Sequence, residues 1–519
     1  MAPSGLRAVR LVVPLLCLAA PVRAQLIPIK TIPIAQGDQF QLFPANNLGM
    51  GSVSIALADS LADPFSNPAM GTRITGSRFF GSPALYSVSR NAGGGRSLPL
   101  AVLARRNLWY GGLALALQRV DPSRPPQPDG FFGFGVATPD VSNVLVVPDP
   151  IPAPDTRAHG NEYAFAMFGR DLPGSKISIG ASAFWTGLHA LDGVDLLYAG
   201  SQRVAQDGHA LDLRLGAVKA WPGEPGGGDR FLEVLVLRND FAATHTVTYA
   251  DQFWDPGLQQ FGQRARIEHN VDQTQTWGLH LKYTAPLTSA GWRIGWIGTL
   301  NRSSHPKIPN YELANVPTIP RDPGYTTAFD LGVGLSKTRG RASFGADVVF
   351  EPIRSYTWAA AEAPMGTASG DTLGVGAKTI ENHFRFANAL LRLGVGHDFE
   401  VSGEKKLVGL QLGLMLRSIH YTLNQQDNVQ DLQRRLTTGW MEWTPTWGLS
   451  LRFPEFEIRY AGRTTHGAGR PGSTFGPVLW AGRDAALAGG TILAAPNGPL
   501  NLMNVNTTTH QISLSLPLR

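Results

Sequence analysis

The ten residues H-Q-I-S-L-S-L-P-L-R, at positions 510–519, alternate between two kinds of side chain. Ile or Leu occupies every second position from 512 to 518, and Gln or Ser stands at 511, 513 and 515. Because successive side chains of a β-strand point to opposite faces, this stretch predicts a strand with one aliphatic face. Segments of about ten residues with the same pattern recur along the chain, and that is the length of a membrane-spanning strand. The sequence therefore predicts an all-β fold, a transmembrane antiparallel β-barrel.

The candidate strands occur in pairs joined by short turns, and longer Pro- and Gly-rich segments, notably 121–160 and 464–506, separate the pairs. Outer-membrane barrels alternate short periplasmic turns with long external loops in this way. The seven predicted hairpins are 98–104 with 108–120, 163–170 with 176–188, 210–221 with 230–241, 266–283 with 292–302, 326–337 with 341–350, 383–399 with 407–423, and 436–453 with 456–463. With 73–89 and 507–518 as first and last strands, we expect about 14 to 16 strands, most simply sixteen, and 18 at the upper limit.

The composition agrees with a membrane barrel. Charged residues make up 16% of the 519 residues, which is typical of a protein with an apolar lipid face and a polar lumen. The strands of a soluble β-propeller or β-sandwich also alternate, but they are shorter and their connections are more even in length. No stretch after the first 24 residues approaches 18 continuous apolar residues, so transmembrane helices are not predicted.

Residues 1–24 have the pattern of a secretory signal peptide. Arg7 and Arg10 precede the apolar run L-V-V-P-L-L-C-L-A-A at 11–20, and V-R-A at 22–24 supplies small residues for cleavage. The apolar run is too short to span a bilayer. We therefore expect export to the bacterial outer membrane. The only cysteine, Cys17, lies in this segment, so the mature chain is expected to have neither disulfides nor zinc–thiolate sites.

The net charge gives no sign of a nucleic-acid partner. Removing the three arginines of the signal peptide leaves 42 basic against 39 acidic residues, a net charge of about +3. Nucleic-acid-binding domains carry a strongly basic patch or stripe, which is not seen here.

Residues 25–72 do not alternate, and we expect them to form a segment distinct from a barrel at 73–519. Apolar and small residues at 53, 56, 57, 60 and 61 have helical spacing, and Asp63-Pro64 is expected to end this helix. A short helix of small residues placed before the first strand predicts a plug packed inside the lumen.

Three short stretches of this segment resemble a known family. L-G-M-G at 48–51, A-L-A-D-S-L-A-D at 56–63 and S-N-P-A at 66–69 resemble the N-terminal signature of the FadL-type long-chain fatty acid transporters and of the related PorV/PorQ-type barrels. The resemblance implies a barrel plugged near its periplasmic end, with Asn67, Pro68 and Ala69 as plug-turn residues. It implies a hydrophobic compound that enters from outside and leaves sideways or past the plug. The same three residues would equally serve only to cap a helix and start the first strand.

Ionisable residues occur on the strand faces opposite the aliphatic ones. Charges on the lipid face are costly near the bilayer midplane, so we expect these residues to line the lumen. They are Asp212, Arg214, Glu233, Glu268, His280, Lys282, Arg452, Glu457 and Arg459. They would form either a polar permeation path or a paired charge network that fills the barrel and binds the plug, and the mixed signs favour the network.

Signals for catalysis are weak. The chain has no H-E-x-x-H, G-x-S-x-G, Walker or calcium-loop motif, so neither an enzyme nor a cofactor or metal site is expected. The predicted function is an outer-membrane channel for passive uptake of hydrophobic or amphipathic small molecules. Its partners would be outer-membrane lipid, the small-molecule substrate and the barrel assembly machinery. The alternatives are a scaffold or shuttle in protein secretion, which the PorV resemblance implies, and a general porin.

Overall fold

The computed structural model describes residues 39–122, 158–192, 201–223, 228–255, 257–287, 291–305, 312–313, 316–317, 323–361, 363–401, 406–471 and 502–518. The predicted signal peptide, the first part of the 25–72 segment and most of the two predicted loops at 121–160 and 464–506 lie outside these ranges.

Within the described residues, sixteen antiparallel strands form one closed sheet. They are β1 (Arg78–Gly81, continued by Ala84–Val88), β2 (Gly94–Arg106), β3 (Trp109–Asp121), β4 (His159–Leu172), β5 (Ile177–Leu188), β6 (Ser201–Trp221), β7 (Arg230–Asp255), β8 (Gln260–Pro286), β9 (Trp292–His305), β10 (Gly324–Arg339), β11 (Ala342–Ala360), β12 (Lys378–Val401), β13 (Lys406–Asp427), β14 (Leu432–Arg452), β15 (Glu457–Thr465) and β16 (Thr507–Pro517). The ring closes because β16 pairs with both β15 and β1. The predicted fold class and the count of sixteen are confirmed.

In the described part of the chain, three small two-stranded ribbons lie outside the barrel sheet. They are Glu312–Leu313 with Val316–Pro317, Met365–Gly366 with Thr372–Leu373, and Gly469–Pro471 with Leu502–Asn504. No helix among the described residues is long and apolar enough to cross a membrane.

The inner and outer faces of the wall differ as the alternation predicts. On β3, Leu113, Leu115 and Leu117 are 66–68% exposed, whereas Ala114 and Ala116 between them are 4% exposed. The leucines form part of the lipid-facing surface, and the alanines face inward. Large apolar side chains are therefore exposed on the outside because their solvent is hydrocarbon.

The strands on one side of the ring are longer than predicted. A membrane-spanning strand needs about 9–11 residues, but β7 has 26 and β8 has 27. The predicted end of β7 near residue 241 marks the end of its aliphatic alternation, not of its backbone pairing. The next residues, A-A-T-H-T-V-T-Y, still pair with β8, because ladder hydrogen bonds do not require apolar side chains. The barrel therefore projects beyond the bilayer on the long-loop side.

Strand β1 is interrupted at Ser82-Pro83, where proline has no N–H to donate. The wall stays closed at this point, since Ser82 N–H donates to the Pro99 carbonyl and Ile512 N–H donates to the Pro83 carbonyl, both at 3.0 Å.

The residues before β1 are not helical where the spacing predicts a helix. Residues 53–62 form turns and bends, and the helical elements are Leu48–Met50 (3-10), Asp63–Ser66 (one α-turn) and Pro68–Arg73 (3-10). The prediction of a helix ended by Asp63-Pro64 was wrong. Proline in a first helical turn loses no hydrogen bond, so Pro64 begins a helix here.

Candidate functional site

The residues before β1 cross the inside of the barrel. We call the described part of this segment, residues 39–77, the plug. Its hydrogen bonds reach inward-facing side chains on well-separated strands, so the plug spans the lumen. They include Gly51 N–H to Thr446 Oγ1 of β14 (2.8 Å), Ser54 N–H to Asp347 Oδ2 of β11 (2.8 Å), Ser336 Oγ–H of β10 to the Ala56 carbonyl (2.9 Å), and Gln118 Nε2–H of β3 to the Gln39 carbonyl (2.7 Å).

Glycines on seven strands let the plug approach the wall closely. A Cβ at any of them would lie 2.0 to 2.7 Å from a plug atom, closer than real Cβ atoms come. This glycine belt consists of Gly180, Gly216, Gly295, Gly334, Gly345, Gly394 and Gly413, on β5, β6, β9, β10, β11, β12 and β13. The site that receives the plug is therefore built into the wall around much of the ring.

The Asn67-Pro68-Ala69 turn sits against two members of the glycine belt. Asn67 Oδ1 accepts a hydrogen bond from Ala69 N–H at 3.1 Å, which caps the 3-10 helix that follows. A Cβ on Gly216 would be 2.0 Å from that same Oδ1, and a Cβ on Gly180 would be 2.7 Å from the Pro68 carbonyl carbon. In this structure the same turn caps a helix and contacts the wall.

One sector of the lumen, next to β4 and β5, is aromatic. Phe43 and Phe65 of the plug stack with their ring centroids 4.0 Å apart. Phe165 of β4 lies 5.3 Å from Phe65, and Phe184 of β5 lies 6.1 Å from Phe43. We call these four rings the aromatic cluster. Buried apolar residues surround it, among them Leu61, Phe80, Leu103, Ala114 and Met167.

Arg214 connects the wall directly to the plug. Its guanidinium pairs with Asp212 at 2.7 Å on the same strand. It also donates to the backbone carbonyls of Phe65 and Ser66, at 3.3 and 2.9 Å. Both of these predicted lumen residues therefore face inward, and the pair anchors the chain beside the aromatic cluster.

Glu233 and Lys282 lie 3.7 Å apart and are both buried. They line a cavity of about 310 Å³ between the wall and the plug residues Ile55, Ala56 and Ala58. The remaining lining residues are Arg73, Phe231, Thr284 and Arg293. The cavity thus combines an apolar wall from the plug with several basic groups.

His280 is the next inward position after Lys282 on β8, and its Nδ1 lies 2.7 Å from Thr299 Oγ1. The side chain of Glu268, farther along the same strand, lies outside the described part of the chain.

The remaining predicted lumen residues form one connected network near the short turn after β14. Arg452 contacts Asp398 at 2.9 Å and Glu457 at 2.8 Å, and Arg459 contacts Glu457 at 2.5 Å. The three predicted residues also line a second cavity, of about 380 Å³, against the plug. The charges here are paired, which is the arrangement expected of a network rather than of an open polar path.

A buried charged group on the β10–β13 side was not predicted from the sequence. Asp330, Asp347 and Glu351 are at most 2% exposed, and Arg392 and Arg417 supply the opposite charge. Asp347 holds the plug by accepting from the N–H groups of Ser54 and Ile55. The signal was present, because these acids alternate with outward residues such as Val348 and Phe350.

Asp59 organises the plug from within. Its carboxylate accepts hydrogen bonds from the N–H groups of Asn47, Leu61 and Ala62 at 3.0 to 3.1 Å. Burial, followed by the nearby charge of Asp63, raises the pKa of Asp59 to about 6. Burial also raises the pKa of Asp63, although Arg73 pairs with it at 2.9 Å. Both carboxylates lie outside the membrane-spanning strands.

These features define a class of protein, a closed sixteen-stranded outer-membrane β-barrel with an internal plug. Neither a family model nor a curated protein matches the chain. Among solved structures, the chain is similar to a Pseudomonas aeruginosa FadL homologue, with 11% identity over 92% of this chain and 99% of that one and a TM-score of 0.41.

The Pseudomonas putida toluene transporter TodX is also similar, with 12% identity over 94% of this chain and 100% of that one and a TM-score of 0.37. CdiB from Escherichia coli has 10% identity over 84% and 63% of the two chains, also with a TM-score of 0.37. FadL-type transporters, the family that residues 48–69 resemble, are therefore among the solved structures similar to this chain. At such identities and TM-scores, the likeness does not bear on the substrate.

Proposed function

We propose that this barrel is a channel for passive uptake of hydrophobic or amphipathic small molecules across the outer membrane. The observation that carries the proposal is the aromatic cluster, in which two plug rings occupy an apolar part of the lumen beside two wall rings. Rings of this kind offer a hydrophobic ligand the same contacts that Phe43 and Phe65 make with the wall.

Partition would supply the driving force. Burying about 300 Å² of apolar ligand surface at roughly 25 cal/mol per Å² favours binding by about 7 kcal/mol before the costs of association are subtracted. No energy source is needed, since release follows when the ligand concentration on the other side is lower. The cavity beside Arg73, Lys282 and Arg293 would suit the charged end of an amphipathic anion.

A scaffold in protein secretion is the second candidate. The observations that favour it are the paired charges near Arg452 and the projection of β7 and β8 beyond the bilayer. A general porin is less well supported, because the plug crosses the lumen and bonds to strands on several sides of it.

The test replaces a wall ring of the aromatic cluster with a charge. Phe184→Asp is expected to reduce uptake of a fluorescent long-chain fatty acid or of a neutral aromatic hydrocarbon at least tenfold, because an unpaired carboxylate in this partly buried apolar site costs several kcal/mol. The control is Phe350→Ala. Phe350 is an outward ring that is 46% exposed, and alanine is used there because an aspartate would disturb the lipid face. This control variant should leave uptake unchanged.

Heat-modifiable migration on gels verifies that each variant forms a barrel. Uptake is measured in a deletion strain carrying each variant and in liposomes containing the purified protein. The channel proposal fails if loss of the whole protein leaves uptake of every hydrophobic compound unchanged. Recovery of an exported protein with the intact barrel, together with unchanged uptake, would favour the scaffold.

A further inference from the structure

Three arginines form a row across the outer surface of the barrel, away from the lumen. The strand register pairs Arg302 of β9 with Thr327, Thr327 with Arg354 of β11, and Arg354 with Arg385 of β12. All three arginines are exposed. Because adjacent strands are about 4.8 Å apart, their backbone positions span about 15 Å. We call Arg302, Arg354 and Arg385 the arginine row.

The arginine row brings like charges together on the outer surface. Arg354 and Arg385 are directly opposite each other, and like charges in that position are destabilising. Among the described residues, neither has an acidic side chain within ion-pair distance. The outward Arg238 differs, since Asp240 pairs with it at 2.9 Å. An anion from outside the chain would remove the repulsion between Arg354 and Arg385.

The arginine row begins where the lipid-facing surface ends. On β11, the outward residues Val348 and Phe350 are 57% and 46% exposed and lie on the membrane side of Arg354. The distance from Phe344, an aromatic residue near the short turn, to Arg354 is about 33 Å along the strand. At a strand tilt of about 40°, this corresponds to about 25 Å along the bilayer normal. That is the height of the apolar band of an outer-membrane barrel. Arg354 therefore reaches the head groups of the leaflet on the long-loop side.

Aromatic rings lie one register row farther from the membrane. Tyr325 pairs with Tyr356, and Tyr356 pairs with His383, with ring centroids 5.5 and 4.5 Å apart. Trp358 stacks on Tyr356 at 5.1 Å. The nearby Glu381 is engaged by Lys378 at 3.0 Å, so it does not neutralise the arginine row. Tyr325 and His383 are exposed, so this aromatic row offers an apolar surface to sugar rings.

We propose that this outer surface binds a phosphorylated glycolipid of the outer leaflet. Its acyl chains pack along the apolar face below, its phosphate groups bind the arginine row, and its sugar rings pack on Tyr325, Tyr356 and His383. Guanidinium and phosphate groups match in charge and form paired hydrogen bonds, which are stronger than neutral ones. The order from the membrane outward, apolar then cationic then aromatic, is the order of these chemical groups in such a lipid. This site is separate from the lumen, so it holds whether or not the barrel is a channel.

The experiment measures binding of fluorescently labelled rough lipopolysaccharide to the purified full-length barrel in detergent micelles. The double variant Arg354→Gln/Arg385→Gln is expected to bind about thirtyfold more weakly, since each basic side chain at an anionic lipid surface contributes about fivefold. The matched control, Arg106→Gln, removes an exposed arginine at the short-turn end and should bind like the unmodified protein. Heat-modifiable migration confirms that each variant is folded.

Three further arms identify the ligand chemistry. Enzymatically dephosphorylated lipopolysaccharide should bind the unmodified protein about as weakly as intact lipopolysaccharide binds the double variant. A large excess of inorganic phosphate should not displace the lipid. Tyr356→Ala should weaken binding of lipopolysaccharide but not of phosphatidylglycerol, which has no sugar ring. The proposal is overturned if the double variant or the dephosphorylated lipid binds with full affinity, if inorganic phosphate alone displaces the lipid, or if Tyr356→Ala affects both lipids equally.

Discussion

Adding one methyl group at Gly413 is expected to displace the plug from the barrel wall. A Cβ on Gly413 would lie 2.1 Å from the amide nitrogen of Gly51 and 2.4 Å from the carbonyl carbon of Met50. Both are backbone atoms, so no change of rotamer relieves the overlap. Ordinary contact begins near 3.4 Å, and the plug must therefore retreat by about 1.3 Å in Gly413→Ala.

The cost follows from the hydrogen bonds that such a shift breaks. Gly51 N–H donates to Thr446 Oγ1 at 2.8 Å, and the Thr446 hydroxyl donates to the Gly49 carbonyl at 2.9 Å. Losing two hydrogen bonds between buried groups costs about 2–4 kcal/mol. The population of the undocked plug should therefore rise roughly 30- to 700-fold.

The assay uses a single reporter cysteine in the plug, because the only native cysteine lies in the predicted signal peptide. Val53→Cys replaces a side chain that is fully buried against the wall, so a bulky maleimide reacts only when the plug leaves its site. The labelling rate should rise in Gly413→Ala by the factor given above. The control is Gly298→Ala, where an added Cβ meets nothing within 4 Å. Equal rates in the two variants, at equal amounts of folded barrel, would refute the reasoning.

Two further predictions use the same reporter. Arg214→Gln should raise the labelling rate about tenfold, because it removes charge-assisted hydrogen bonds worth about 1.5 kcal/mol or more. The control is Arg238→Gln, which breaks an Arg–Asp pair on the outer face of the next strand and should leave the labelling rate unchanged. The pKa of Asp59 is raised in the docked plug, so protonation of Asp59 stabilises docking. This stabilisation is fully present below about pH 3.8 and is lost as the pH rises through about 6. The labelling rate, normalised to that of the denatured protein, should therefore fall as the pH falls through this window. The free energy of docking should change by up to about 3 kcal/mol. Asp59→Asn should remove most of this pH dependence. A pH profile unchanged by Asp59→Asn would assign the effect to another carboxyl group beside it, such as Asp63.

The architecture was predictable because side-chain alternation is a local property of the chain. The aliphatic face at 512–518 and its counterparts place one face of each strand in lipid, and paired segments with short turns give sixteen strands without any knowledge of contacts. The same logic indicates that Asp212, Arg214 and the other ionisable residues of the inward faces point into the lumen.

The local structure of the plug was less predictable. Helical spacing at 53–61 does not produce a helix, because carboxylates and hydroxyls of the barrel supply the hydrogen bonds that a helix would otherwise provide. Asp347 and Thr446 are about 290 to 400 residues away from the plug groups they bind. A window of neighbouring sequence contains no information about such partners.

The amino-acid sequence alone determined which side chains face lipid and how many strands close the ring, because side chains alternate between the two faces within each strand. Only the tertiary structure decided which residues meet across strands. The aromatic cluster joins Phe43 and Phe65 to rings more than 90 residues later, and the arginine row exists only because the register aligns residues of neighbouring strands. Register depends on turn geometry and on closure of the whole ring, and neither is encoded in a single strand.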